Sequence, residues 1–254
     1  MFYRFTIILL SIIQSFSLSL QAQETVNKIQ TGEFQFITSS REILGEELAN
    51  GFSQTLGIND EIKWTIYVPE NYDPSSPPGV VVHMTQTNLP KIPIGWPKAL
   101  NEKNLIWISL NKAGELKQNK EMLLAVLSTP FIQEKYKIDN NRIYIVASAN
   151  SCYPASAAME IYPDIFKGGV YSTCEPINWK KNTPKTIEHM KNNRYLFVSS
   201  NEKEIKRISR KAYNRYKKAG LTKIDYMHIP KLFYGKQLDR RKFIQSIDIL
   251  DGLS

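Results

Sequence analysis

The chain has 254 residues, 42% of them hydrophobic, enough to bury one sizeable core. Its formal net charge is +9, with three histidines and two cysteines. Those few ligands show no zinc spacing and there is no glycine-rich phosphate loop, so neither a metal nor a cofactor is expected.

Residues 1–22 read as a signal peptide. Arg4 is their only charge, Phe5 to Ile13 is a short apolar run, and Leu20-Gln-Ala-Gln23 offers a cut after Ala22. The competing reading is a membrane anchor, but the run is shorter than the roughly 20 residues a spanning helix needs. Cleavage would leave a net charge of +8 and no transmembrane span, in an exported protein, periplasmic or extracellular. Residues 23–60 form a weakly patterned lead-in with one strand near Phe34–Ile37. From residue 61 to 254 a single domain is expected.

Within that domain Lys63–Val68 alternates at period two, as a strand does. Val80–His83 and Leu105–Ser109 are near-continuous apolar runs, the signature of central parallel strands. Glu115–Lys137 reads as a long helix broken at Pro130. Ile143–Ala147 is a further buried strand, followed by a sharp turn and a helix that opens at Cys152. Gly168–Thr173 and Arg194–Ser199 are strands. A helix from Lys203 to Ala219, stopped by Gly220, puts Ile205, Ile208, Ala212 and Tyr216 on one face. Its remaining faces are basic, read either as a solvated outer surface or as a contact for an anionic envelope polymer or lipid surface. Nucleic acid is not expected, because no recognition motif is present. The strand Lys223–Pro230 and the loop Lys231–Gly235 follow. Alternation of this kind implies a three-layer α/β fold with a mostly parallel sheet between helices.

The segment Ile138-Asp-Asn-Asn-Arg-Ile-Tyr-Ile-Val-Ala-Ser-Ala-Asn-Ser-Cys152, followed by Ile161-Tyr-Pro-Asp-Ile-Phe166, carries a resemblance. It is similar to the nucleophile region of α/β-hydrolases, above all the secreted esterases that include feruloyl esterases and polyhydroxybutyrate depolymerases. Those proteins place a G-x-S-x-G turn after an I-D-P-x-R-I-Y strand and fourteen residues before the proline of Y-P-D-x-F. Counting back from Pro163, and forward from Arg142, lands on Ala149 in both cases. The turn is therefore Ala147-Ser148-Ala149-Asn150-Ser151, without the nucleophile or either glycine.

The resemblance also locates the other members of a catalytic triad. The acid position falls on Lys203, or on Glu202 or Glu204 with a one-residue slip. The histidine position, four residues past Pro230, is Tyr234. His83 and Met84 stand where the family has its H-G oxyanion motif, so His83 is expected as scaffold, not general base. His228 is expected to be structural and His189 to face solvent. If the sheet follows the family order, Cys152 and Cys174 lie at the ends of adjacent parallel strands. A disulfide is then implied, and two buried free thiols are the alternative.

Two functions fit. In the first, the protein has lost esterase activity and binds a saccharide or acyl ligand, or acts as an accessory protein. Its pocket would draw on His83, Met84, Thr85, Ser148, Asn150 and Ser151, beside Ala149 and Tyr234. In the second it is an active secreted carboxylic ester hydrolase with a relocated nucleophile, Ser148, Ser151 or Cys152.

Overall fold

The computed structural model describes residues 29–111, 115–176 and 186–253. The expected signal peptide, Gly114 and the lysines at 180, 181 and 185 lie outside the described residues. The chain divides into two units, Met1–Gln30 and Thr31–Ser254, and the second holds the elements below. Among the described residues no helix is long and apolar enough to cross a membrane.

Eight strands form one sheet in the order β1-β2-β4-β3-β5-β6-β7-β8 among the described residues. In chain order they are β1 (Gly32–Thr38), β2 (Ile62–Val68), β3 (Gly79–Met84), β4 (Leu105–Leu110), β5 (Ile143–Ser148), β6 (Gly168–Ser172), β7 (Arg194–Ser199) and β8 (Ile224–His228). The helices are α1 (Ser40–Leu44), α2 (Glu46–Gly51), α3 (Trp96–Lys103), α4 (Gln118–Lys135), α5 (Cys152–Ile161), α6 (Ile187–Met190), α7 (Lys203–Lys218) and α8 (Arg240–Asp251). Strands β1 and β2 pair antiparallel, and β2 runs antiparallel to β4. From β4 through β3, β5, β6 and β7 to β8 every pairing is parallel. This is the three-layer arrangement the alternation implied.

The parallel strands bury both faces, which explains their unbroken apolar runs. Ile145 and Ala147 of β5 face the core under α4, α5 and α7, while Tyr144 and Val146 face the core under α3 and α8. The motif residues at the start of β5 have a structural task. Arg142 makes a two-pronged bond to Asp251 at 2.9 and 3.0 Å, and the Tyr144 hydroxyl donates to the same carboxylate at 2.6 Å. They fasten the end of α8 to the end of the sheet opposite the turn.

Two expectations are corrected. The lead-in is better ordered than its patterning suggested, because β1 is followed by α1 and α2. Ser39 and Glu42 cap α1 reciprocally, an S-x-x-E signal that the sequence carries plainly. Helix α4 is not broken at Pro130 but runs through it. Proline removes one hydrogen bond and costs about 3 kcal/mol in a helix interior. Leu127, Ser128, Thr129, Phe131 and Ile132 are all buried around it, and that packing holds the helix together.

Candidate functional site

Parallel β3, β5, β6, β7 and β8 all end at one edge of the sheet, where ligands bind in open α/β folds. At that edge β5 gives way to a single 3₁₀ turn, Ala149–Ser151, and then to α5. Ala149 has φ 53°, a left-handed conformation that costs a residue with a Cβ roughly 1–2 kcal/mol. The strained strand-to-helix turn of a hydrolase is thus present in shape. What it displays is a half-buried methyl group, which has no lone pair to attack a carbonyl.

The loop after β8 straps across this turn. The Tyr234 hydroxyl donates to Asn150 Oδ1 at 2.6 Å on one side of Ala149. Gln237 Nε2 donates to Ser148 Oγ at 3.2 Å on the other. Between them Gly235, at φ 72°, lies over the turn, so close that a Cβ there would sit 3.7 Å from Ala149 Cβ. Asn150 Nδ2 continues the chain to Gln86 Oε1 at 3.1 Å, in the loop after β3.

The acid loop meets the same strap. Glu202 Oε1 accepts the Tyr234 backbone N–H at 3.2 Å. Lys203, on the direct register, opens α7 and is exposed. Glu204 is turned away and pairs with Arg207. Of the three acid candidates, Glu202 is the one that touches the strap. Asn150, Glu202 and Tyr234 are therefore brought together, joined by a phenol–amide bond and a backbone N–H to carboxylate bond. Burial raises the Tyr234 hydroxyl above the usual phenol range, which keeps it a donor.

The six pocket candidates do not share one cavity. Asn150 is exposed, but His83, Met84, Thr85, Ser148 and Ser151 are buried. His83 packs on the α3/α8 face against Trp96 and Trp107, with ring centroids 5.0 and 5.7 Å away. Its Nε2 donates to Gln237 Oε1 at 2.9 Å, while Nδ1 has no partner. Burial lowers its pKa to about 4, and the bond to Gln237 offsets only part of that, so the ring is neutral at pH 7. The Met84 side chain joins the core on the opposite face.

On that opposite face lies a group the sequence reading passed over. Glu121, in the first turn of α4, is 3% exposed. With Trp64, Met84, Thr85, Leu110 and Ala125 it lines a cavity of ≈ 10 Å³, room for no more than about one water. Burial pushes its carboxyl up to about 7. The Ser151 hydroxyl lies close enough to offset part of that rise, but neither Ser151 Oγ nor Glu121 Oε1 completes a hydrogen bond.

Cys152 and Cys174 form a disulfide, with Cα atoms 6.0 Å apart. The register Ser148↔Ser172 brings the ends of β5 and β6 together, and both cysteines lie just beyond. Thr173, immediately before Cys174, is also left-handed at φ 53°. The bridge therefore clamps two strained turns. The other two histidines bond elsewhere. The His228 ring is exposed at the end of β8 and donates to Asn201, and exposed His189 pairs with Asp164. Among the described residues no cluster of three or more His, Cys, Asp or Glu could hold a metal.

No family model matches the chain, and no curated protein matches it by sequence. Solved structures do match in fold. The feruloyl esterase module from Clostridium thermocellum gives a TM-score of 0.63 at 10% identity, covering 86% of this chain and 87% of that one. A thermostable esterase gives 0.58 at 14% identity, over 87% of this chain. The dipeptidyl peptidase 4 of Porphyromonas gingivalis gives 0.55 at 15%, over 76% of this chain. The chain spans 61% of the length of that esterase and 34% of that peptidase. The sheet order and the strained turn after β5 thus define an α/β-hydrolase fold, shared with esterases and peptidases.

Proposed function

We propose that this is an exported protein of the α/β-hydrolase fold that has lost esterase activity and serves as a binding or accessory protein for a saccharide or acyl ligand. The carrying observation is Ala149, left-handed at the turn and strapped over by Tyr234, Gly235 and Gln237. A carbonyl arriving there meets a methyl group. Substitute nucleophiles fare no better, since Ser148 and Ser151 are buried and Cys152 is held in the disulfide. Binding does not need the nucleophile: the Clostridium thermocellum module was solved with a serine changed to alanine and with sinapinate bound. The rim here offers Asn150, Gln86 and Tyr234 beside exposed Phe233, a pairing of amides with aromatic faces suited to a neutral ligand.

The purified protein is expected to leave aryl and feruloyl esters at the background rate and to escape labelling by an active-site serine probe. It is also expected to bind at least one member of a panel of neutral oligosaccharides plus sinapinate, with binding weakened by Tyr234→Phe. Turnover that survives repurification and disappears in Ser148→Ala or Ser151→Ala would establish the relocated nucleophile instead.

A further inference from the structure

Helix α7 holds most of the protein's excess charge. Its sixteen residues carry eight lysines and arginines against one acid, Glu204, while the whole chain is +9. Such a helix is not built for its own stability. Lys203 and Arg207, Lys206 and Arg210, Arg207 and Lys211, and Lys211 and Arg215 are all like charges one turn apart, which repel. Among the described residues no ion pair ties Lys206, Arg210, Lys211, Lys217 or Lys218, while Arg207 is pinned by Glu204.

The cations are arranged, not scattered. Arg207, Arg210, Lys211, Asn214, Arg215 and Lys218 line one open groove of ≈ 550 Å³. They recur every turn, about 5.4 Å, along roughly 16 Å of helix. Arg210 is stacked 4.0 Å over the ring of Tyr226, which fixes its position and leaves its N–H edge for a ligand.

We infer that this groove binds a linear acidic polysaccharide, with carboxylate or sulfate groups answering successive turns of α7. A lipid surface fits less well. A helix that lies in a membrane sinks its apolar face into it, and the apolar face of α7, Ile205, Ile208, Ala212 and Tyr216, is already buried in this protein. Single-stranded nucleic acid wants free aromatic faces to stack on. Here Tyr226 is covered by Arg210, and Tyr213 packs edge-on between Tyr226 and Phe197.

The test uses the purified protein with fluorescein-labelled heparin and polygalacturonate oligosaccharides, titrated by anisotropy from 50 to 200 mM salt. The triple variant Arg210→Glu, Lys211→Glu, Lys218→Glu is compared with a surface control of equal charge change, Lys91→Glu, Lys98→Glu, Lys137→Glu. Circular dichroism checks that both stay folded. The groove variant should bind at least about 30-fold more weakly at 50 mM salt, with its log–log salt slope reduced by about 3, roughly one per cation lost. The control should stay within about twofold, the effect expected of net charge alone when none of the replaced lysines lines the groove. Equal loss in both triples, no salt-dependent binding to either polymer, or tighter binding to anionic vesicles or to DNA would each overturn the assignment.

Discussion

Two buried polar groups flank the end of β5, one on each face of the sheet, and they are held in opposite ways. On the α3/α8 face His83, Gln237 and Ser148 form a hydrogen-bonded relay, and the only loose end is His83 Nδ1. On the α4/α5 face Glu121 and Ser151 meet without completing a bond, and beside them sits the disulfide. The first face is ordered by directional bonds that reach into the strap. The second is ordered by a covalent link and apolar packing, with a carboxyl that resists ionisation. A turn of this shape can therefore be held without the glycines that usually accompany it, provided each side has its own restraint.

The largest break of the comparison is to open the covalent side. Cys152→Ala with Cys174→Ala should lower unfolding stability by about 3 kcal/mol, from the lost constraint on a loop of about 20 residues. Guanidinium unfolding of oxidised wild type against the double variant checks this. A loss below about 1 kcal/mol would mean that packing alone holds the turn.

A second experiment separates the faces by pH. Glu121 has its ordinary value of 4.5 raised to about 7. Its favourable neutral form is fully present below pH 4.5, and that contribution is lost as pH rises through 7. His83 is lowered from 6.5 to about 4, so its contribution is present above pH 6.5 and lost as pH falls through 4. Between 4.5 and 6.5 the two slopes oppose, and wild-type stability should be nearly flat. Glu121→Gln removes one slope. That variant should match wild type at pH 4.5 and exceed it by about 3 kcal/mol at pH 8, with a rising stability curve between. Urea titrations at five pH values decide it, and a parallel offset at all pH values would show that Glu121 ionises freely.

The smallest effect sharpens the relay. Gln237→Ala leaves His83 Nε2 and Ser148 without their shared partner and should cost about 1–2 kcal/mol. It should also expose the turn, seen as faster hydrogen exchange at Asn150 and Tyr234 than in Glu121→Gln. Equal exchange in the two variants would mean that the strap is held elsewhere.

Much of the fold was legible because its signals are local. The apolar runs of β3, β4 and β5 and the spacing of buried residues on α7 depend only on the residues themselves. The sharp turn after β5 was legible from the buried strand before it and the helix opening at Cys152 after it. The strap was not, because it joins Tyr234 to Asn150 and Gln237 to Ser148 across 84 and 89 residues. No local pattern marks Gln237 or Gln86 as its ends. Glu121 was overlooked for another reason. One carboxylate near a helix start reads as a favourable partner for the helix dipole, and only burial by β2, β3 and α5 changes its meaning. Pro130 was read as a break because local preference favours one, and the surrounding core overrode it.

The disulfide closes the chain from Cys152 through α5 and β6 to Cys174 into a covalent ring. Its consequence shows in the order in which the native protein opens. Strands of a parallel sheet can fray one at a time from either end, but β5 and β6 are pinned together at the edge that carries Ala149. Arg142 and Tyr144 secure β5 to α8 at the other. Fluctuations that open the sheet must then begin at its outer strands, β1 and β8, and travel inward. The middle of the sheet becomes the slowest part of the molecule to exchange its amides, and the rim around Ala149 rests on its most persistent unit.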